Sequence, residues 1–234
     1  MRIGIRMVAV ACAVMMASTG AMADEDAASE RNDPLETLNR FTSGLNTILR
    51  GAILDPVVDV YQFVTPDDIQ SVVSNAASNL SEPVTAISSL LQGDTENAGN
   101  ATERFLINST VGVGGLGDPA TGMGIESRNE DLGQALGANG VDTGPHLVLP
   151  IFGPSNFRDA FGDIATGIAN PLPLAGKAAT GAVTYADNQD TINSIGNNAL
   201  DPYVAEREAY EQNREYEVKN GNIVLPDFDE TAAH

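Results

Sequence analysis

From residue 33 onward apolar residues recur at the three-to-four-residue spacing of an α-helix, and no comparable run alternates as a half-buried strand would. The first run places Leu38, Phe41, Leu45, Ile48, Leu49 and Ala52 on one stripe. Glu36, Asn39, Arg40, Ser43, Asn46, Thr47 and Arg50 lie opposite. The same period returns in Ile69, Val72, Val73, Ala76, Ala77 and Leu80, and in Phe157, Ala160, Phe161, Ile164, Ala165 and Ile168. Helix starts are marked by a capping side chain beside a proline, whose missing amide costs nothing there. Asp33-Pro34 has Glu36 at the position that completes a capping box; Asp55-Pro56, Thr65-Pro66 and Asp201-Pro202 repeat the device, with Ser81-Glu82-Pro83 a near variant. Further helices are expected over 83–92, 95–108, 176–199 and 202–219, the last with Tyr203 and Tyr210 one heptad apart. The pattern predicts an all-α domain over residues 33–220.

Two stretches, 111–124 and 137–154, are rich in glycine and proline yet more apolar than ordinary surface loops, so ordered, packed connections are expected there. Residues 24–32 and 221–234 are acidic and poor in large apolar groups, the composition of disordered segments. No internal repeat or charge shift marks a second domain.

The first 23 residues read as a secretory signal peptide. Arg2 and Arg6 precede an apolar run over 7–17, and Ala21-Met22-Ala23 fits the small-x-small rule for cleavage before Asp24. The run is too short to cross a bilayer, which takes about 20 apolar residues. Cys12, the only cysteine, offers an alternative reading as an acylated residue. It sits inside the apolar run instead of at its end, so simple cleavage is the expectation, leaving a chain without cysteine and without disulfides.

Charge narrows the partners. Removal of Arg2 and Arg6 takes 12 basic residues to 10 against 32 acidic ones, a formal net charge of −22. Such a chain repels nucleic acid and anionic lipid alike, so no nucleic-acid partner is expected and any membrane contact must come from apolar burial.

Candidate chemistry is sparse. Gly112-Val113-Gly114-Gly115-Leu116-Gly117 formally spells G-x-G-x-x-G, but a dinucleotide fingerprint follows a strand and opens a helix. Here a predicted helix precedes it, and Asp118-Pro119 stands where the new helix should already be running, so a packed glycine turn is the better reading. His146 beside Pro145 reads as structural, and His234 lies on the tail. Asp67-Asp68, Glu130-Asp131 and residues 227–230 read as helix-start or solvated charge, since none has the spacing of a calcium loop. Metallohydrolase and serine-hydrolase signatures are missing, and neither metal nor cofactor nor enzymatic activity is expected.

The first helix has two readings with the same periodicity. Its apolar stripe either faces a protein core or lies in a membrane interface. In the second case Leu38, Phe41, Leu45, Ile48 and Leu49 are the membrane-contact residues, contributing about 10 kcal/mol gross at about 1.5–3 kcal/mol per buried side chain.

An ordered set of short motifs resembles the MlaA family, also called VacJ, over nearly the whole of residues 33–220. It runs from Asp33-Pro34-Leu35-Glu36 with Asn39-Arg40 through Ser74-Asn75, Asn79-Leu80, Glu82-Pro83 and Leu91-Gln92-Gly93-Asp94 to Arg104-Phe105-Leu106-Ile107-Asn108-Ser109-Thr110. It continues in Gly133-Gln134-Ala135-Leu136-Gly137, Gly144-Pro145, Leu147-Val148-Leu149-Pro150, Gly153-Pro154-Ser155, Arg158-Asp159, Asp201-Pro202-Tyr203 and Arg207-Glu208-Ala209-Tyr210. The resemblance implies a single ring- or disc-like helical domain whose amphipathic helices lie in the periplasmic leaflet of the outer membrane. It further implies a channel through which phospholipid leaves the outer leaflet for a soluble periplasmic lipid carrier, and association with an outer-membrane porin trimer. Typical members are lipoproteins, whereas this chain places its cysteine poorly for acylation; it also has His146 where an aromatic often follows Gly-Pro, and no tryptophan. Lys177, the only basic side chain between Arg158 and Arg207, is a candidate contact for a lipid phosphate, set against the plainer reading of a lysine reaching solvent. Two alternatives come from other classes: a soluble periplasmic porin-binding or envelope-interaction module that moves no lipid, and an exported hydrolase relying on acidic residues alone.

Overall fold

The computed structural model describes residues 33–126, 128–169, 184–186, 188–189, 192–194 and 198–222. The expected signal peptide, the acidic segment 24–32, Lys177, most of the helix expected over 176–199 and nearly all of the acidic tail lie outside them.

The described chain is mainly helical. Helix α1 (Glu36–Leu49) runs through a π-helical turn (Arg50–Leu54) into α2 (Asp55–Val64) without a break. Next come α3 (Asp67–Gln92) and α4 (Thr95–Thr110), then the single turn α5 (Pro119–Gly122) and the short α6 (Leu132–Ala138). Strands β1 (His146–Leu149) and β2 (Gly153–Asn156) precede α7 (Phe157–Ala169), and α8 (Pro202–Val218) closes the described chain.

The two strands form an antiparallel hairpin pairing His146 with Asn156 and Leu149 with Gly153, a departure from the purely helical expectation. Four residues per strand are too few for alternation to show against the apolar string Leu147-Val148-Leu149-Pro150-Ile151-Phe152.

Pro83 does not start a helix. It sits inside α3, which continues through it for 26 residues. Glu82, next to it, accepts from the Arg104 Nε at 2.6 Å and is fixed across the α3–α4 hairpin. That hairpin turns at Gly93, whose φ of +80° is the left-handed conformation glycine adopts without strain.

The capping box at Asp33 is also not formed. Glu36 turns along the helix to Arg40 (2.7 Å), and the Asp33 carboxylate accepts from Leu35 N, from the Asn39 amide and from the Tyr203 hydroxyl. Asp55 caps nothing, because the helix runs straight into it through the π turn. Asp201 does cap its helix: it accepts from Tyr203 N and Val204 N and pairs with Arg40.

Among the described residues the interior is not greasy. The fully buried apolar residues are alanines with Val58, Val148 and Tyr203, and the largest side chains with essentially no exposure are Asn39, Thr85, Ser88 and Ser89. No leucine, isoleucine or phenylalanine among them is fully buried.

Candidate functional site

Helix α1 is inside out. Asn39, Thr42, Ser43 and Asn46 are buried, while the stripe expected to contact membrane points away from the protein: Leu38, Leu45, Phe41 and Ile48 are exposed, the last two at 72% and 67%. Leu49 is half-buried. The core-facing reading of this helix is therefore wrong for this fold.

The polar face can be buried because the protein answers every turn of it. Asn39 donates to His146 O at 3.0 Å and accepts from Val148 N at 2.9 Å; seven residues on, Asn46 donates to Leu149 O at 2.9 Å and accepts from Ile151 N at 2.7 Å. Each amide offers a donor and an acceptor side by side, as a neighbouring strand would, so α1 completes the free edge of β1 with side chains. Ser43 and Arg50 reach Glu206 of α8.

The π turn keeps this outward stripe continuous. Exposed apolar residues follow α1 at 38, 41, 45 and 48, the π turn at 53, and α2 at 57, 60 and 64. The steps are three or four residues except for a single step of five, from Ile48 to Ile53, and there the Asp55 amide bonds to the Arg50 carbonyl five residues back. A regular α-helix would have rotated the α2 stripe by about 100° for that one extra residue. On the other side of α2, Asp55 accepts from the Tyr185 hydroxyl and from Gln189, and Gln62 donates to Ala186 O.

The inversion extends beyond α1 and α2. On α3, Ile69, Val73, Leu80, Ile87 and Leu91 are exposed, whereas Asn79, Glu82, Thr85, Ser88 and Ser89 are buried. On α7, Phe157, Phe161, Ile164 and Ile168 face outward and Ala160 faces in.

Inside, three charge networks hold the helices. Arg104 joins Glu82, Thr121, Ile125 O and Asp118, and Asn108 ties Asp118 to Ala120 N. Asn97 bridges Ser89 and both main-chain groups of Arg128, while Glu130 is buried, with its main chain on Thr85 and its carboxylate on Gln92. Burial raises the Glu130 carboxyl above its ordinary pKa despite that bond. Glu130 is thus an interior group and not solvated charge, whereas Asp131 caps α6 as a helix-start acid.

The third network centres on Arg214 of α8, which donates to Asp159 at 2.8 Å and to both oxygens of Asp131 at 2.9 and 3.0 Å. Burial opposes the Asp159 charge, but the Arg214 guanidinium and the Tyr210 hydroxyl outweigh it and lower its pKa. Gly133 and Gly162 make room for this cluster: a Cβ on Gly133 would collide with the Asp159 carboxylate, and one on Gly162 would stand 2.7 Å from Gly133 N.

His146 is buried between the edges of Tyr203 and Tyr210, the heptad pair of α8, with ring centroids 6.2 and 6.0 Å away. Burial depresses its pKa, against an opposing pull from Glu211. The glycine-rich stretch is a packed turn following a helix, as expected. A Cβ on Gly115 would stand 2.6 Å from the Asn79 amide, and the turn borders an open depression of about 590 Å³ walled by Val111, Val113, Leu116 and Pro119. No helix among the described residues is long and apolar enough to cross a membrane.

Sequence reasoning named the outward residues but gave no role to Asn39, Asn46, Asn97, Asn108, Arg104 or Arg214. For Asn39 and Asn46 the signal is asparagine in mid-helix, where it is disfavoured, at heptad spacing on the face opposite the apolar stripe.

The family model described as MlaA lipoprotein matches residues 31–217. The intermembrane phospholipid transport system lipoprotein MlaA of Haemophilus influenzae is 31% identical over 222 residues, covering 87% of this chain and 88% of that protein. Its Escherichia coli namesake is 32% identical over 208 residues, covering 84% and 82%; an uncharacterised Rickettsia typhi protein is 35% identical over the same length and coverage. A solved structure, described as the structural basis for maintenance of bacterial outer membrane lipid asymmetry, superposes with a TM-score of 0.72 at 30% identity and covers 80% of this chain and all of that one. A helical fold with polar faces inward, apolar faces outward and this degree of similarity places the chain in the MlaA lipoprotein family.

Proposed function

We propose that this chain is the outer-membrane component of a phospholipid-trafficking system that removes mislocalised phospholipid from the outer leaflet and so maintains lipid asymmetry. The observation that carries the reading is the inversion of α1, α2, α3 and α7, which present most of their large apolar side chains outward over a hydrogen-bonded polar interior. In water such a surface is costly; in a leaflet it is the favoured one. The relatives named for phospholipid transport supply the process.

On this reading the protein sits in the periplasmic leaflet, anchored by its apolar belt without acylation at Cys12, and Leu38, Phe41, Leu45, Ile48 and Leu49 contact acyl chains. Lipid passes through a ring-like body to a soluble periplasmic carrier, beside a porin trimer, with no covalent chemistry. Lys177 meets the lipid phosphate. The high negative charge gains nothing from anionic headgroups, so on this reading the seating rests on apolar burial alone.

Deleting the gene in its own host and labelling surface phospholipid with a membrane-impermeant reagent tests the function. The outer leaflet should gain phospholipid and lose it again on complementation, more slowly with Lys177→Glu. Unchanged labelling would leave the alternative of an envelope module that moves no lipid.

A further inference from the structure

The tip of the β-hairpin is built against the ordinary rules for a turn. Tight turns that need a left-handed residue take glycine, asparagine or aspartate, because a branched side chain there is strained. Here Ile151 holds φ at +73°. Its side chain is 80% exposed and that of Phe152, its neighbour, is 68% exposed, so neither contributes much packing in return for the strain. The turn is nevertheless firmly placed, because the Asn46 amide of α1 holds both Leu149 O and Ile151 N. Residues 147–154 carry no charged group. A rigid, uncharged tip that thrusts two large apolar side chains outward is both strained and unfavourably hydrated in water; the hydration penalty lapses when the side chains enter hydrocarbon, and that gain offsets the strain.

We infer that Ile151 and Phe152 form a wedge inserted into the acyl region of the leaflet, a second contact beside the apolar belt of the helices. The inference rests on the membrane-seated reading proposed above and goes beyond it by naming the hairpin tip as an inserted element. The occupant is bilayer acyl chain. Asn46 links the wedge to the membrane helix itself, pinning the tip to the last turns of α1 where Ile48 is exposed.

The chain has no tryptophan, so single-tryptophan variants report one place each. Phe152→Trp and, separately, Phe41→Trp on α1 would be reconstituted as the full processed chain in phosphatidylethanolamine–phosphatidylglycerol vesicles carrying lipids brominated along the acyl chain. Both tryptophans should show blue-shifted emission and lose most of it to acyl bromine. Quenching of the α1 tryptophan with none at position 152 would overturn the wedge and leave the seating intact; quenching of neither would overturn both. Ile151→Gly relieves the strained φ and should melt no lower than wild type in detergent. A marked drop would mean that the side chain serves the fold, and the wedge would lose its basis.

Discussion

Asn39 and His146 stand 107 positions apart, and the side-chain amide of the first donates to the main-chain carbonyl of the second at 3.0 Å. The amide oxygen of Asn39 takes the next amide along the strand, Val148 N. Replacing Asn39 by alanine would leave a buried carbonyl and a buried N–H unpaired, each costing about 1–3 kcal/mol. Denaturation in detergent should show a loss of that order for Asn39→Ala and little loss for Phe41→Ala, whose ring is exposed. The reverse order would mean that α1 has been placed the wrong way round.

The π turn gives a prediction about length. Ala52 is exposed and makes no packing contribution of note, yet it lies in the turn that absorbs one residue more than a regular helix needs to bring the α2 stripe into line with that of α1. Deleting it should let the π turn relax to regular α-helix with Asp55 and Val58 still in place, whereas inserting a second alanine there should rotate α2 by about 100°, pulling Asp55 from Tyr185 and Val58 from its buried position. Thermal melting in detergent should stay near wild type for the deletion and drop for the insertion, which the turn cannot absorb as well. Equal midpoints would remove the role given to the turn.

Most helices were legible from sequence because a 3.6-residue period survives whichever side the apolar stripe faces. For the same reason the direction was not: Phe41 and Ile48 have the same spacing in a core as in a leaflet. The fate of Asn39 and Asn46 resolves it, and their partners lie in a hairpin a hundred residues away. Pro83 misled because a proline reads as a helix start, whereas Glu82 beside it is held across the α3–α4 hairpin by Arg104 and the helix runs on. The β-hairpin itself was hidden inside an apolar string without alternation. Lys177 and the signal peptide lie outside the described residues and stand as sequence expectations.

Arg214 should be indispensable to stability. Arg214→Met would strip Asp131 of its bidentate partner and leave the buried Asp159 with Arg158 as its remaining cation, and breaking a buried pair in this way typically costs about 3–5 kcal/mol. Removing the exposed Arg40–Glu36 pair should cost about 0–1 kcal/mol. Chemical denaturation of the two variants side by side measures the difference, and comparable losses would contradict the assignment of a buried network.

His146 predicts a pH dependence. Burial lowers its pKa in the fold, so the unfolded chain binds the proton more readily. Its contribution to stability is fully present above the ordinary value of 6.5 and is lost as pH falls from there toward the depressed folded value. Melting midpoints taken between neutral and mildly acidic pH should fall for wild type and fall less for His146→Phe. Parallel curves would assign the acid sensitivity to other groups.

Every functional conclusion depends on the proposed seating of the outward apolar belt in lipid. Flotation of the processed, detergent-free chain on phosphatidylethanolamine–phosphatidylglycerol vesicles at high salt tests it most directly, because apolar burial survives salt and electrostatic adhesion does not. The protein should float with the vesicles, and Phe41→Ser combined with Phe63→Ser, which removes the 90% exposed ring of α2, should reduce the floating fraction. A chain that stays in the dense fraction, monodisperse and free of lipid, would contradict the membrane seating.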